Sequence, residues 1–170
     1  MSALNKFGLG SAVFAWLLVG CSSPDDGWAP GELKSVNHVK GTGINWLSVN
    51  GYGASGGGGG MCCIALPNKW RPGMIADIKW EVDPDPSAYS DWPPLGSEGY
   101  RVKQREHAKN YRRYEARVEI PEYDHDRCGL TVHFLTCQQV KVTTSCWATS
   151  RPEYPIKEPR HMEEPVVCPR

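Results

Sequence analysis

The glycines, one serine, the histidines and the acids are where catalytic chemistry would have to start in this chain, and their spacing limits it sharply. The segment Gly51-Tyr52-Gly53-Ala54-Ser55-Gly56 runs on through Gly60 and matches two familiar patterns. Gly51, Gly53 and Gly56 fit G-x-G-x-x-G, which holds pyrophosphate only when a helix follows and offers its N-terminus to the anion. Here more glycine and then a strand-like segment follow. Gly53, Ser55 and Gly57 fit G-x-S-x-G, but a nucleophile elbow needs a strand before the serine and a helix after it. The run therefore reads as a flexible hairpin loop, or as an adaptable loop whose bare amides touch a partner, because glycine permits close backbone approach. Tyr123-Asp124-His125-Asp126-Arg127 sets two carboxylates beside a histidine. Adjacent residues rarely converge on one ion, so this reads as a polar turn. His133 falls on the outward face of its strand and is expected to be solvated, and His38, His107 and His161 have no triad-like context. No acid pair, triad or ligand set emerges, so neither catalysis nor a metal or small-molecule cofactor is expected.

The cysteines carry a different chemistry. Lys6 precedes an uncharged apolar run from Phe7 to Val19. That run is shorter than the ~20 residues of a membrane-spanning helix and has the length of a signal-peptide core. It ends at Leu18-Val19-Gly20-Cys21, which resembles the lipobox of bacterial lipoproteins, Leu-x-small-Cys. The resemblance implies cleavage before Cys21 and acylation of its thiol, so that the chain is held on a lipid bilayer. Ser22, where Asp is usual in inner-membrane lipoproteins, implies the outer membrane, with the protein facing the periplasm. Two or more acyl chains anchor stably, at about 0.8 kcal/mol per buried CH₂. Residues 1–20 are thus a cleaved leader, and 21–32, polar and rich in Pro and Gly, a lipidated cysteine with a flexible tether. An oxidising compartment permits disulfides. The candidates are Cys62, Cys63, Cys128, Cys137, Cys146 and Cys168, with many pairings open. Adjacent Cys62 and Cys63 point to opposite faces of a strand, which favours different partners, a vicinal bridge being the alternative.

The elements that must position these residues are short strands. The chain has 18 Gly and 14 Pro in 170 residues, and both break helices, which argues against a helical bundle. Leu33–Val39, Ile44–Val49, Met61–Leu66, Met74–Val82, Tyr111–Ile120, Leu130–Thr136 and Val140–Thr149 are β-branched and aromatic between turn signals. Asn50-Gly51 is a hairpin signal. In Met74–Val82, residues Met74, Ala76, Ile78, Trp80 and Val82 share one face, the period of a half-buried strand. Residues 83–99 read as a long loop and 104–110 as one short helix. The last two strands form a hairpin around Cys137-Gln138-Gln139, which sets Phe134 opposite Val142 and Cys128 diagonal to Cys146, a possible bridge. Residues 151–170 carry repeated prolines and read as an extended tail that packs little, with Cys168 available to pin it. The expectation is an all-β single domain over residues 33–150, a sandwich or partly open barrel of about seven or eight strands.

Nineteen basic and nineteen acidic residues give no net charge, which excludes a strongly basic nucleic-acid binder. The charges are grouped, however. Residues 101–117 are basic, with Arg112 and Arg113 among them, and residues 77–98 are acidic. Two such poles can steer a charged partner, or present two solvated faces.

Several stretches together resemble a known family: Val36-Asn37-His38, Trp46 to Gly53, Gly56 to Cys63, Leu66 to Gly73, Val132 to Leu135 and Pro152-Glu153-Tyr154-Pro155. They are similar to small proteobacterial lipoproteins that carry a domain of unknown function, over roughly residues 33–155. Members are often encoded beside type VI secretion genes, toxic phospholipase effectors included. The resemblance implies an immunity or envelope-associated role and carries over no catalytic residue. The leading expectation is an outer-membrane-anchored binding protein that neutralises a secreted phospholipase, through Gly51, Tyr52, Gly53, Trp70, Trp92, Arg112 and Arg113. The alternative is a structural lipoprotein of the envelope or of the secretion apparatus.

Overall fold

The computed structural model describes residues 27–56 and 61–169. The expected leader and lipidated Cys21, the side chain of Cys62 and the glycines 57–60 lie outside the described residues. Among those described, eight strands and one helix follow in order: β1 (Trp28–Asn37), β2 (Gly43–Val49), β3 (Tyr52–Ser55), β4 (Met61–Pro67), β5 (Ile75–Asp83), α1 (Glu98–Ala108), β6 (Arg112–Glu119), β7 (Gly129–Phe134) and β8 (Val140–Thr143). They form two four-stranded sheets, ordered β4-β1-β7-β8 and β3-β2-β5-β6, with no closed barrel. All pairings are antiparallel except β1 with β7. The architecture is the expected all-β sandwich. Its core lies between the sheets and contains Leu33, Leu47, Val49, Ile64, Ile78, Trp80, Leu130, Val132 and Phe134. The period-two segment behaves as its pattern demands: Ala76, Ile78 and Trp80 are buried, while Asp77 and Lys79 face solvent.

Four boundaries differ from expectation. First, β1 starts at Trp28, so residues 28–32 belong to a strand and not to the tether. Pro30 and Gly31 hide this strand, but Trp28–Gly31 pair only with β4, so the missing Pro30 N–H breaks no second ladder. At Gly31 a Cβ would sit 2.4 Å from Gly129 Cα, so bare backbone is what lets β1 and β7 approach. Second, the glycine-rich segment contributes β3. Asn50 and Gly51 both have positive φ, 50° and 85°, and join Val49 to Tyr52 in a two-residue turn. Third, α1 starts well before residue 104. Ser97 caps it by accepting from Tyr100 N at 3.1 Å, and Glu98 pairs Arg101 one turn on. Only His107 of the helix is buried, so it has no apolar stripe to betray it. Fourth, the β7–β8 loop has five residues, Leu135 to Gln139, and pairs Phe134 with Val140 where Val142 was expected. The shift is two residues, so each side chain keeps its face.

The tail also differs. Tyr154 is buried, Met162 bridges to Val39, and the segment covers the outer face of β1 and β7. Every residue of β7 is consequently buried, on both faces. Disulfides join Cys128 to Cys146, with Cα atoms 4.9 Å apart, and Cys137 to Cys168, 5.5 Å apart. The first closes the hairpin and the second pins the tail, as the spacing allowed. Cys63 is disulfide-bonded as well.

Candidate functional site

One end of the sandwich gathers most of the chemistry. There β1 turns into β2, β5 stops, β6 begins and β7 turns into β8. Between the sheets at this end lies an open cavity of about 180 Å³. Buried Ile44, Trp80, Phe134 and Leu135 form its floor, and half-buried Val82 and Tyr114 its walls. The Trp80 ring lies 5.2 Å from Phe134 and 5.6 Å from Tyr114, centroid to centroid. The rim is polar and includes Asn37, Arg112, Gln138, Gln139 and Glu164.

The rim is held from several sides. Asn37 Nδ2 donates to the Thr42 carbonyl at 2.8 Å, and Asn37 Oδ1 accepts from Val39 N at 3.0 Å, which shapes the β1–β2 turn. Cys137 and Gln138 adopt left-handed backbone, φ 59° and 57°, without being glycine. Non-glycine residues hold that conformation only where surrounding structure imposes it. Here the Cys137–Cys168 disulfide and a hydrogen bond from Cys137 N to Glu164 Oε1, 2.7 Å, do so. Cys137, Glu164 and Cys168 also form a cluster of metal-ligand types, but both sulfurs are spent in the disulfide.

Arg112 is distinct among the arginines here. Its Nη1 donates to the carbonyls of Asn110 and Tyr111, at 2.9 and 3.3 Å, and it has no carboxylate partner among the described residues. Its neighbours on β6 are matched. Arg113 pairs with Glu81 and Arg117 with Asp77, each at 2.8 Å, across from β5. Burial works against the Glu81 charge, yet hydrogen bonds from Arg113 and Asn45 hold its carboxyl below the usual range. Where the basic and acidic segments run along β6 and β5 they thus lie side by side and pair, while the rest of the basic segment lies on α1, where Arg101 and Arg105 pair with Glu98.

Beside the cavity, β5 ends in a buried aspartate. Asp83 accepts from His107 Nε2 at 2.9 and 3.1 Å, from Tyr89 Oη at 3.0 Å and from Asp85 N at 2.9 Å. Since Tyr89 gives its proton to Asp83, the Tyr111 hydroxyl donates to Tyr89, 2.5 Å away. Burial and then these neighbours raise the Tyr89 phenol well above its ordinary range. Trp92 packs against Tyr89, Tyr100 and His107, with centroids 4.4, 5.4 and 5.4 Å away. Among the described residues, the side chains of this His–Asp pair hydrogen-bond to Tyr89 and the Asp85 N–H and to no serine or threonine hydroxyl or cysteine thiol. Its chemical effect is to lock α1 and the β5–α1 connection onto the sandwich.

A second chain of groups runs under the tail. The Pro159 carbonyl can only accept, so His38 Nδ1 donates to it, at 2.8 Å. His38 Nε2 then accepts from His133 Nδ1 at 2.8 Å, and His133 Nε2 accepts from Tyr154 Oη at 2.7 Å. Burial, with His38 and Arg160 nearby, pushes the His133 imidazole down to about 4. His133 does lie on the outward face, but it is 1% exposed because the tail covers that face, and not solvated as expected. Neither this chain nor the Asp83 cluster forms a motif in the sequence, since the first is drawn from three separate places, residues 38, 133 and 154–159, and the second from two, residues 83–89 and 107–111.

The expected contact residues fall at two opposite ends. Gly51, in the β2–β3 turn, and Tyr52 and Gly53, at the start of β3, are exposed. Trp70 lies at that same end, half-buried, its Nε1 donating to the Ile120 carbonyl at 2.8 Å. Arg112 and Trp92 belong to the cavity end, and Arg113 to the outer face of β6. β5 spans the gap between the ends, roughly 25 Å for a strand of this length. Ser55 sits on an edge strand opposite Trp46, with no elbow geometry.

The chain belongs to the family described as Protein of unknown function (DUF3304), whose model matches residues 36–142. No curated protein and no solved structure matches it.

Proposed function

We propose that this member of that family is a non-enzymatic binding lipoprotein. On this reading it is held by acylated Cys21 on the periplasmic side of the outer membrane and acts as an immunity protein against a secreted type VI phospholipase. The observation that carries the binding half is the cavity end: an apolar recess inside a polar rim, braced by a disulfide, with an arginine that has no carboxylate partner among the described residues. Interfaces concentrate their energy in such apolar recesses enclosed by polar rims. Support for the location comes from the leader ending at Cys21 and from disulfides, which persist in oxidising compartments. Support for a non-catalytic role comes from the buried histidines, each of which is satisfied by another protein group.

The test is protection. A phospholipase encoded beside this protein is directed to the periplasm, with and without this protein co-expressed. Survival only with the partner present supports the reading, and equal killing refutes it. Labelled palmitate should mark the wild-type chain and not Cys21→Ser. A pull-down that returns envelope components and no effector would favour the structural alternative.

A further inference from the structure

The cavity end permits a sharper statement about the partner, and it rests on the binding reading above. Size decides the kind of occupant. Sites for free small molecules usually measure ~300–1,000 Å³, whereas a ~150 Å³ apolar cavity accepts a benzene-sized group. At about 180 Å³ this recess fits one ring or one branched side chain. Its floor of Trp80, Phe134, Ile44 and Leu135 is made of apolar and aromatic side chains. Its rim supplies one cation, Arg112, whose Nε and Nη2 donors have no partner among the described residues. Glu164, also on the rim, is committed through Oε1 to Cys137 N.

We propose that the cavity is the anchor pocket for a protein partner that inserts one aromatic or leucine side chain between the sheets and sets an adjacent carboxylate on Arg112. The recess needs little rearrangement to receive it, because the disulfide and the imposed left-handed turn already hold Gln138 and Gln139 at the rim. Preorganisation of this kind lowers the ordering cost of association.

The test uses short capped peptides titrated into the purified protein and followed by NMR at the Trp80 indole and the Phe134 and Gln139 amides. N-acetyl-Phe-Asp-amide is the probe. N-acetyl-Ala-Asp-amide lacks the ring and N-acetyl-Phe-Lys-amide reverses the charge. The expected result is saturable shifts confined to the cavity end with Phe-Asp, weakened by about fivefold with Phe-Lys, as for an exposed ion pair, and abolished with Ala-Asp. Arg112 is exposed, so Arg112→Glu should fold normally and reverse the preference to Phe-Lys. Shifts that avoid the cavity, or a preference unchanged in Arg112→Glu, overturn the proposal. So does 3-phenylpropionate binding at least about tenfold more tightly than Phe-Asp, since that marks a small-molecule site. The protection assay separates the two readings. If wild type and Arg112→Glu protect equally, the pocket is not the contact surface and the binding role stands. If wild type fails to protect, the immunity role falls whatever the titration gives.

Discussion

Acidification should loosen this protein through His133, and the amount can be worked out. His133 is 1% exposed, donates to His38 and accepts from Tyr154. Protonation would put a second N–H against the Tyr154 hydroxyl and a charge into a buried site. The folded imidazole is accordingly held at about 4, against 6.5 for a free histidine. The sign follows. The folded state binds fewer protons than the unfolded chain between these values, so stability is fully present above 6.5 and is lost as pH falls toward 4. At 1.36 kcal/mol per pH unit the whole contribution is about 3 kcal/mol, of which about 2 is lost between pH 7 and pH 5. Denaturant unfolding of the oxidised protein at pH 7, 6 and 5 measures it. His133→Gln keeps a polar side chain there and removes the titration, which separates this residue from the carboxylates. Wild type should lose about 2 kcal/mol more than His133→Gln over that range. Equal pH dependence in the two proteins would show that His133 is not held neutral by the tail, and the hydrogen-bond directions assigned above would be wrong.

Three further outcomes are expected. His107→Ala strips Asp83 of its imidazole donor and leaves this buried side chain with only Tyr89 and the Asp85 N–H, at a cost of about 1–3 kcal/mol by denaturant unfolding. Replacing both Cys137 and Cys168 with Ser opens a cross-link spanning 31 residues. The expected loss is about 3–4 kcal/mol, with the tail becoming open to limited proteolysis, and a tail still resistant would show that it packs without the bond. Gly129→Ala meets both a φ of +91° and a Cβ only 2.0 Å from the Glu32 carbonyl oxygen, so β1 and β7 must separate. A melting temperature within about 2 °C of wild type would contradict that close approach.

Local pattern was legible in the chain alone. Alternation over residues 74–82 identified β5 and its buried face, because a strand's period of two leaves a direct trace in sequence. Asn50-Gly51 identified the β2–β3 turn, because few residues accept positive φ twice in succession. The many glycines and prolines, with short β-branched segments between turn signals, identified an all-β domain, and cysteine spacing around the last hairpin made the Cys128–Cys146 bridge foreseeable. Where a neighbour distant in sequence supplied the deciding contact, the chain was silent. The outward face that His133 occupies is ordinarily wet, and only the returning tail, with Tyr154 and Pro159, makes it dry. The helix α1 is stabilised by a cap and by surface pairs, so it leaves no apolar stripe to read. The basic and acidic segments look like opposite poles in one dimension, and the β5–β6 ladder sets Arg113 beside Glu81 and Arg117 beside Asp77. Arg112 differs from Arg113 in no way that sequence records. The tertiary fold alone pairs one with Glu81 and leaves the other, without a carboxylate partner among the described residues, at the mouth of a cavity, because which charges meet depends on strand register and not on composition.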